Sequence, residues 1–251
     1  MTKESERTIA AVEAAFQLLD AFDGAGALRL ADLHERTGLT RSRILRLLGT
    51  LEVCGYVVAS GKGQYVLGPK IFRLGWSMRD AYSPMISVLR PALERAVADS
   101  GVTAFFSIPR GDQRVVLAKC EPSSGVRYVV EEGQARALHV GATGRVLLAN
   151  MEPELVDAAL SGGRITALTP ATIIDADELR ASIDSARAEQ FAVSFGEATS
   201  TAFAMAAPVL SGSRLVGALS LAGPLEDYEA RREVCREILE REARFLGSRI
   251  A

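Results

Sequence analysis

The sequence predicts an α+β protein with two domains, a small helical domain that ends in a β-hairpin and a larger domain that mixes strands and helices. Its 251 residues are 48% hydrophobic and 24% charged, which is typical of a globular chain with one large or two ordinary domains. Apolar residues recur at helical spacing in the first 55 residues, whereas short alternating segments follow residue 100. Positive charge is concentrated in the first of these two parts.

Composition excludes several classes of protein. No apolar run reaches the roughly 18 to 20 residues of a membrane-spanning helix, and residues 1–7 lack the apolar stretch of a secretion signal. We therefore expect a cytoplasmic protein with no membrane partner. Cys54, Cys120 and Cys235 are far apart and odd in number, which fits neither a disulfide framework nor paired metal ligands. We expect these thiols to be reduced and packed.

The net charge of −2 hides an uneven distribution. Residues 25–76 contain eight Lys and Arg against three Asp and Glu, whereas the chain from residue 77 onward contains 19 against 23. Phosphate affinity is useful only where DNA docks. A basic small domain joined to a mildly acidic larger one therefore suits a DNA-binding protein with a separate sensing domain.

Two helices are predicted at the start of the chain. The first ends at the glycine-containing segment 23–26. Its apolar stripe consists of Ile9, Val12, Phe16 and Leu19. The second spans about residues 29–37, with Leu30 and Leu33 facing inward, and a tight turn follows in which Gly38 can adopt a positive φ.

The third helix is predicted from Thr40, a suitable N-cap, to about Cys54. Its narrow apolar stripe consists of Ile44, Leu47, Leu48 and Leu51. The opposite face is short, cationic and rich in hydroxyl groups, and it consists of Ser42, Arg46, Gly49 and Thr50, with Arg43 on its flank. Arg, Ser and Thr side chains contact base edges and phosphates in the major groove, and a glycine allows close approach.

A cationic hairpin follows the third helix. Strands are predicted at residues 55–59 and 64–67, joined by the turn Ser60-Gly61-Lys62-Gly63. A basic residue alone indicates only a solvated surface charge, but a helix, a glycine turn, a basic helix and a cationic hairpin in this order predict a winged helix-turn-helix. The expected DNA-binding residues are Arg41, Ser42, Arg43, Arg46, Thr50 and Lys62.

These residues resemble the amino-terminal domain of the IclR family of bacterial transcription regulators. The resemblance lies in Leu30-Ala31-Asp32-Leu33, residues 37–42 (TGLTRS), residues 46–51 (RLLGTL), Gly55-Tyr56-Val57, residues 65–68 (YVLG) and Leu74-Gly75. The spacing matches throughout, and the resemblance continues into the second half of the chain.

The larger domain is predicted to be a sheet covered by helices. We expect a winged domain at residues 1–68, a linker helix at 69–81 and the larger domain at 82–251, where Pro84 precedes a helix to about Ser100. Strands are expected at about 103–108, 114–119, around Tyr128, 192–195, 202–210 and 215–221. Helices are expected at about 143–150, after Pro153, at 176–190 and at 225–247. Such a domain can enclose a pocket.

Three stretches of this domain resemble the family's effector-binding domain, a GAF-like sheet. They are residues 138–149 (LHVGATGRVLLA), 206–209 (AAPV) and 217–224 (GALSLAGP). In the family the first stretch leads into a helix N-terminus at the pocket, where free N–H groups and the helix dipole favour a carboxylate. The resemblance implies effector contacts at Arg136, Ala142, Thr143, Ser194, Ala204, Ser220 and Ala222.

The sequence departs from the family at several positions. Ser194, Ala204 and Ala222 stand where some members carry Asp, Cys and Ser, which makes the pocket less polar and roomier. This favours an aromatic or longer-chain acid over a two- or three-carbon keto acid. Residues 189–191 read Glu-Gln-Phe where the family usually has Arg-Gly-Tyr, and Arg145 replaces a usual Lys.

An enzyme is the main alternative, with His139 as its candidate catalytic residue. The only other histidine is His34, in the small domain, and neither a Gly-x-Ser-x-Gly elbow nor a His-Glu-x-x-His motif is present. We favour a structural role for His139 and predict no catalytic residue, metal ligand or cofactor. A second alternative is a pure interaction protein that holds a partner through its long helices.

Together these patterns predict a transcription regulator, specifically a repressor. We expect it to bind double-stranded operator DNA as a homodimer or a dimer of dimers, with the first helix and the linker helix as dimerisation elements. A small organic acid is the expected effector.

Overall fold

The computed structural model describes residues 8–123, 128–161 and 165–250, and the chain divides into two compact units, Met1–Ala81 and Tyr82–Ala251. The α+β prediction is confirmed, since the first unit is a winged helix-turn-helix and the second is a six-stranded sheet covered by helices. None of the helices in the described ranges combines the length and apolar character needed to cross a lipid bilayer.

The first unit contains four helices and a small antiparallel sheet within its described residues. They follow the order α1 (Ala10–Asp20), β1 (Leu28–Arg29), α2 (Leu30–Thr37), α3 (Arg41–Val53), β2 (Val57–Gly61), β3 (Gln64–Leu67) and α4 (Pro69–Ala81). The strands lie in the order β1-β3-β2. Strand β1, which the sequence analysis missed, pairs Leu28 with Tyr65 and so joins the wing to the helical part of the unit.

The turn between α2 and α3 forms as predicted. Gly38 ends α2 with a φ of 69°, a left-handed conformation that favours glycine. The Thr37 hydroxyl donates to the Leu33 carbonyl oxygen at 2.6 Å and accepts from the Leu39 N–H at 3.2 Å. Thr40 is the N-cap of α3, but its side chain makes no capping hydrogen bond and lies 3.4 Å from the Ser42 hydroxyl.

Apolar side chains of α1, α2, α3, β1 and β2, with one from the turn after α1, form the core of the first unit. They are Leu18, Phe22, Leu28, Leu33, Ile44, Leu48, Leu51 and Val57. In the predicted stripe of α1, Ile9 is 68% exposed and Phe16 is 61% exposed, whereas Leu19 packs against the core. Ala14 and Leu18 face the core, so α1 carries a second apolar face that this core does not cover.

The second unit begins with α5 (Ser83–Ser100) and contains an antiparallel sheet. Its strands are β4 (Thr103–Arg110), β5 (Gln113–Cys120), β6 (Ala135–Ala137), β7 (Ala192–Phe195), β8 (Ala202–Ser211) and β9 (Arg214–Pro224), in the spatial order β6-β5-β4-β9-β8-β7. Its remaining helices are α6 (Gly141–Ala149), α7 (Pro153–Ser161), α8 (Ala176–Glu189) and α9 (Tyr228–Arg249).

One predicted strand of this unit is wrong. Residues 128–131 form no strand, and residues 124–127 lie outside the described ranges. The edge strand is β6 instead, three residues that pair with β5. Tyr128 and Val130 nevertheless pack on the sheet beside Phe105 and Val116. These residues are therefore buried against the sheet without pairing as a strand.

The two faces of the sheet are covered by different elements. Residues of α5 and α9 pack on one face, where Cys235 and Ile238 are buried as expected of the closing helix. Helices α6 and α8 cover the other face together with Tyr128 and Val130. All three cysteines are free, but Cys54 is exposed, so the expectation of packed thiols is wrong for that residue.

Candidate functional site

The polar face of α3 is open to solvent. All five residues predicted on this face or at the start of the helix are exposed, namely Arg41, Ser42, Arg43, Arg46 and Thr50. Ile44, Leu48 and Leu51 anchor the opposite side in the core. A Cβ added to Gly49 would meet nothing within 4 Å, so the middle of this face is open to close approach.

The basic side chains of this unit are not neutralised by carboxylates. Within the described ranges, no salt bridge involves Arg41, Arg43, Arg46 or Lys62. Arg43 Nη2 donates to the Ala10 carbonyl oxygen at 2.9 Å, which ties α3 to the start of α1 and leaves other guanidinium donors available. These cations therefore present their charge to solvent.

Lys62 lies at the tip of the wing. Gly61 pairs with Gln64, so the loop between them is the two-residue turn Lys62-Gly63. Both turn residues have positive φ, 52° for Lys62 and 70° for Gly63, as in the mirror-image turns that match the twist of a hairpin. The turn leaves the lysine exposed at the end of the hairpin.

Four of the predicted effector positions share one face of the large sheet. The strand register places Ser194 opposite Ala204, Ala204 opposite Ala222, and Ala206 opposite Ser220, and directly opposed residues point to the same face. This is the face that α6 covers, since Ala142 and Ala206 belong to one apolar cluster. Arg136 lies apart from them on β6, the edge strand opposite to β7.

The N-terminus of α6 lies against this face. The Thr143 hydroxyl is 2.9 Å from the Ser220 hydroxyl, and both residues are buried. A Cβ on Gly141 would lie 3.4 Å from the Ser194 hydroxyl. A Cβ on Gly144 would lie only 1.9 Å from the Leu138 carbonyl oxygen, so glycine is required for this close approach. Thus, of the predicted effector contacts, Ser220 lies beside Thr143 and Ser194 lies beside Gly141.

A buried carboxylate of the protein already uses part of this helix N-terminus. Glu197 accepts from the Gly141 N–H at 3.2 Å and from both terminal nitrogens of Arg145 at 2.5 and 2.8 Å. The Ala142 and Thr143 N–H groups lie in the first helical turn, where no intrahelical carbonyl is available. Of the amides at this N-terminus, those of Ala142 and Thr143 therefore remain for another acceptor, whereas the Gly141 amide is used by Glu197.

The departures from the family have local explanations. Arg145 replaces a usual Lys and forms a two-pronged pair with Glu197, which a single ammonium group cannot do. Gln190 occupies the position of a usual glycine and has a φ of 51°, so it keeps the left-handed end of α8.

The sequence analysis missed three buried polar groups on this face. Within the described ranges, three buried side-chain atoms have no hydrogen-bond partner, Thr103 Oγ1, Ser107 Oγ and Arg114 Nε. Thr103 lies opposite Ala222 and Ser107 opposite Ala218 in the register. Arg114 gave no signal in the sequence, because an arginine at a strand end is usually solvated.

A cavity of about 730 Å³ opens beside this face. It is lined by Tyr128, Ala202, Gly223, Pro224 and neighbouring residues. Ala202 lies two residues before Ala204 on β8, so the two side chains point to the same side of the sheet. Ala142, Thr143 and Ser220 are not among its lining residues, so the cavity adjoins the predicted contacts without including them.

His139 has a backbone partner. Its side chain is buried, and Nε2 is 3.0 Å from the Thr166 carbonyl oxygen, to which it donates. In the described ranges, no group of three or more His, Cys, Asp or Glu side chains is arranged to hold a metal ion. Asp175 caps α8 by accepting from the N–H groups of Asp177 and Glu178, so this carboxylate stabilises a helix start.

Comparisons with known proteins agree for both units. A family model for the C-terminal domain of bacterial transcriptional regulator IclR matches residues 82–246, and one for the IclR helix-turn-helix domain matches residues 11–61. The HTH-type transcriptional regulator Rv1719 of Mycobacterium tuberculosis is 31% identical over 207 residues, which cover 82% of this chain and 78% of that protein. The HTH-type transcriptional repressor AllR of Klebsiella pneumoniae is 29% identical over 219 residues, 85% of each chain.

A solved structure shares the fold along almost the whole chain. The crystal structure of an IclR homologue from Microbacterium hydrocarbonoxydans, complexed with 4-hydroxybenzoate, matches with a TM-score of 0.75 at 21% sequence identity. The match covers 96% of this chain and 99% of that one.

Proposed function

Because this chain belongs to the IclR family of bacterial transcriptional regulators, we propose that it is a repressor in which paired winged domains bind operator DNA and the larger domain binds a small organic acid. The protein is a ligand-responsive, DNA-binding regulator. The observation that carries the residue-level proposal is the exposed, unpaired cationic face of α3 beside a lysine-tipped wing. The AllR relative, which is named a repressor, supports repression.

The DNA contacts divide by chemistry. Ser42, Arg43, Arg46 and Thr50 contact the duplex directly from the open face of α3, because arginine matches guanine edges and hydroxyl groups reach bases or phosphates. Arg41, at the first turn of α3, and Lys62, at the wing tip, contact phosphates. Phosphate contacts position the protein and make binding depend on salt, whereas base contacts specify sequence.

A second copy of the chain is the partner of the apolar helix faces. Helix α1 exposes Ile9, Val12 and Phe16, and α4 has no buried residue and exposes Phe72 and Trp76. Two winged domains related by a two-fold axis can bind a palindromic operator. We therefore propose a homodimer or a dimer of dimers. Sedimentation of Phe16→Glu should show dissociation relative to wild type, and an unchanged assembly would contradict this role for α1.

The effector is a small organic acid held between α6 and the sheet. Its carboxylate accepts from the Ala142 and Thr143 N–H groups, near the hydroxyls of Ser194 and Ser220. Ala204 and Ala222 leave apolar room on the same face, which favours an aromatic or longer-chain acid. Arg136, on the opposite edge strand, contacts only an extended effector.

The effector regulates the protein because it binds more tightly to one of two arrangements of the paired winged domains. An acid that binds the DNA-releasing arrangement more tightly shifts the population toward it, and DNA weakens acid binding by the same factor. Measuring acid affinity with and without operator tests this reciprocity. Equal affinities would contradict the regulatory coupling.

We assign no catalytic role to this chain. The buried His139 donates to a backbone carbonyl oxygen, which suits a structural residue. We propose a cytoplasmic location, since operator DNA is the proposed partner. Turnover of a bound acid that disappears in His139→Ala would contradict the assignment.

The proposed function is tested by DNA binding of the full chain. Fluorescence anisotropy with duplexes enriched by the protein from a random library should show salt-dependent, specific binding by wild type. The Arg43→Ala/Arg46→Ala variant should lose it, whereas Arg244→Ala, an exposed arginine of α9, should not. Equal retention by wild type and the double variant would refute the assigned DNA face.

A further inference from the structure

Arg114 is a buried cation without an anion. Only 4% of its surface is exposed, its Nε has no hydrogen-bond partner, and no carboxylate of the described residues forms a salt bridge with it. Burying a charge is expensive unless it is paired. By contrast, Arg145 of α6, which is also deeply buried, is paired with Glu197 through both terminal nitrogens.

Arg114 is charged at neutral pH, although its buried position disfavours the charged form. Burial lowers the pKa of its guanidinium to about 10; Tyr128 acts in the opposite direction, and the positive charge of Arg136 on the neighbouring strand lowers the pKa further. The group is therefore still protonated at neutral pH. It needs an anion that the described part of the chain does not supply.

Arg114 points to the same side of the sheet as the predicted effector contacts. It lies two residues from Val116, which packs with Phe105, Tyr128 and Ala222. The register places Val116 opposite Ser107, and Ser107 opposite Ala218. Ala218 belongs to the apolar cluster that includes Ala142 and other residues of α6. The guanidinium thus belongs to the effector face, at the end remote from α6.

Two unpartnered hydroxyls lie on β4 along this face. Thr103 and Ser107 are completely buried, and neither hydroxyl oxygen has a hydrogen-bond partner. Buried polar atoms are normally paired, so each of these hydroxyls has a vacant donor and acceptor position. Ser107 lies on the side of Ser220 toward Arg114, and Thr103 lies on the side away from it, so unsatisfied polar groups flank the Thr143 and Ser220 pair on this face.

We propose that Arg114 binds a second anionic group of the effector, which makes the effector a dicarboxylate. This rests on the proposed function and specifies its ligand class. One carboxylate meets the first turn of α6, and the other accepts side-on from Nε–H and a terminal N–H of Arg114, the fork geometry that arginine offers to carboxylates. Ser107 lies between these two ends, whereas Thr103 lies beyond Ser220, next to Ala222.

The strand positions set a lower limit on the length of this acid. Arg114 lies on β5 and Ser220 on β9, with β4 between them, which corresponds to two strand spacings of about 4.8 Å each. The residues opposite them on β4 are Pro109 and Phe105, four positions apart. A two- or three-carbon diacid is too short for this separation, so the skeleton is an aromatic ring or a longer chain.

The test compares acids that share a skeleton and differ in the second carboxylate. Isothermal titration calorimetry of the full chain would use terephthalate against benzoate and octanedioate against octanoate. For at least one pair, wild type should bind the diacid at least tenfold more tightly. Arg114→Met should abolish this preference, and Arg114→Lys, which keeps the charge but not the fork, should retain part of it. Arg214→Met, at an exposed position of the same sheet, should match wild type.

Melting without ligand separates a binding role from a structural one. If the guanidinium stabilised the fold, removing it would lower the melting temperature. Removing an unpaired buried charge should instead leave the melting temperature unchanged or raise it. Three results would each overturn the proposal: a lower melting temperature for Arg114→Met, an undiminished diacid preference in that variant, or equal binding of monoacids and diacids by wild type. The proposal would also be overturned if wild type binds DNA but no diacid. If wild type binds neither DNA nor any diacid, the result counts against the proposed function instead.

Discussion

Replacing Glu197 with glutamine should destabilise the larger domain strongly, because it leaves Arg145 buried and unpaired. The two side chains are only 3% and 5% exposed, so water screens the lost attraction little. Glu197 accepts three hydrogen bonds, two from Arg145 and one from the Gly141 N–H, and an amide of the same shape keeps one acceptor oxygen at most. Breaking a buried pair in this way costs about 3–5 kcal/mol of unfolding free energy.

This loss is large enough to measure by calorimetry. For a domain of this size each 1 kcal/mol lowers the melting temperature by roughly 2–4 °C, so Glu197→Gln should lower it by about 6–20 °C. The matched control is Glu240→Gln, which breaks an exposed pair with Arg236 on α9 and should cost under about 1 kcal/mol. Equal shifts in the two variants would refute the assignment of Arg145 and Glu197 as a stabilising buried pair.

Three further predictions concern single side chains. Arg46→Ala should weaken specific DNA binding by about 1–3 kcal/mol if its exposed guanidinium reads a base, and anisotropy with enriched and scrambled duplexes would measure the difference. Lys62→Ala should weaken binding to both duplexes and lower the slope of log affinity against log salt by about one, so an unchanged slope would contradict a phosphate contact. In native protein at pH 8, Cys54 should react with a thiol reagent at once, whereas Cys235 should not, because it is buried and burial raises the pKa of its thiol to about 11; rapid modification of Cys235 without unfolding would refute its packing.

The winged domain was predictable because its signals are local. The glycine turn at Gly38, the stripe of α3 and the Lys62-Gly63 hairpin each depend on residues within one turn or one helical repeat. The face of α1 was not predictable in the same way. Its periodicity fits two apolar stripes, and only tertiary packing shows that Ala14 and Leu18 face the core.

The site in the larger domain was harder to predict because it is assembled across the sheet. Family resemblance located Thr143 and Ser220, which the structure brings within 2.9 Å, although 77 residues separate them in the chain. Arg114 could not be found in this way, because its burial at a strand end depends on packing with residues distant in the chain, Tyr128 among them. The role of Glu197 as the partner of Arg145 likewise depends on a contact between distant segments.

The most direct test of the central claim is the DNA affinity of wild type and of the Arg43→Ala/Arg46→Ala variant. It is measured in one anisotropy titration series with and without whichever diacid, terephthalate or octanedioate, wild type binds more tightly. We predict that wild type binds its enriched duplex and that the acid changes this affinity. The double variant should bind both the enriched and the scrambled duplex more weakly than wild type does, while still binding the acid. Equal DNA affinity of the two proteins, or an acid that binds wild type without any change in its DNA affinity, would contradict the account.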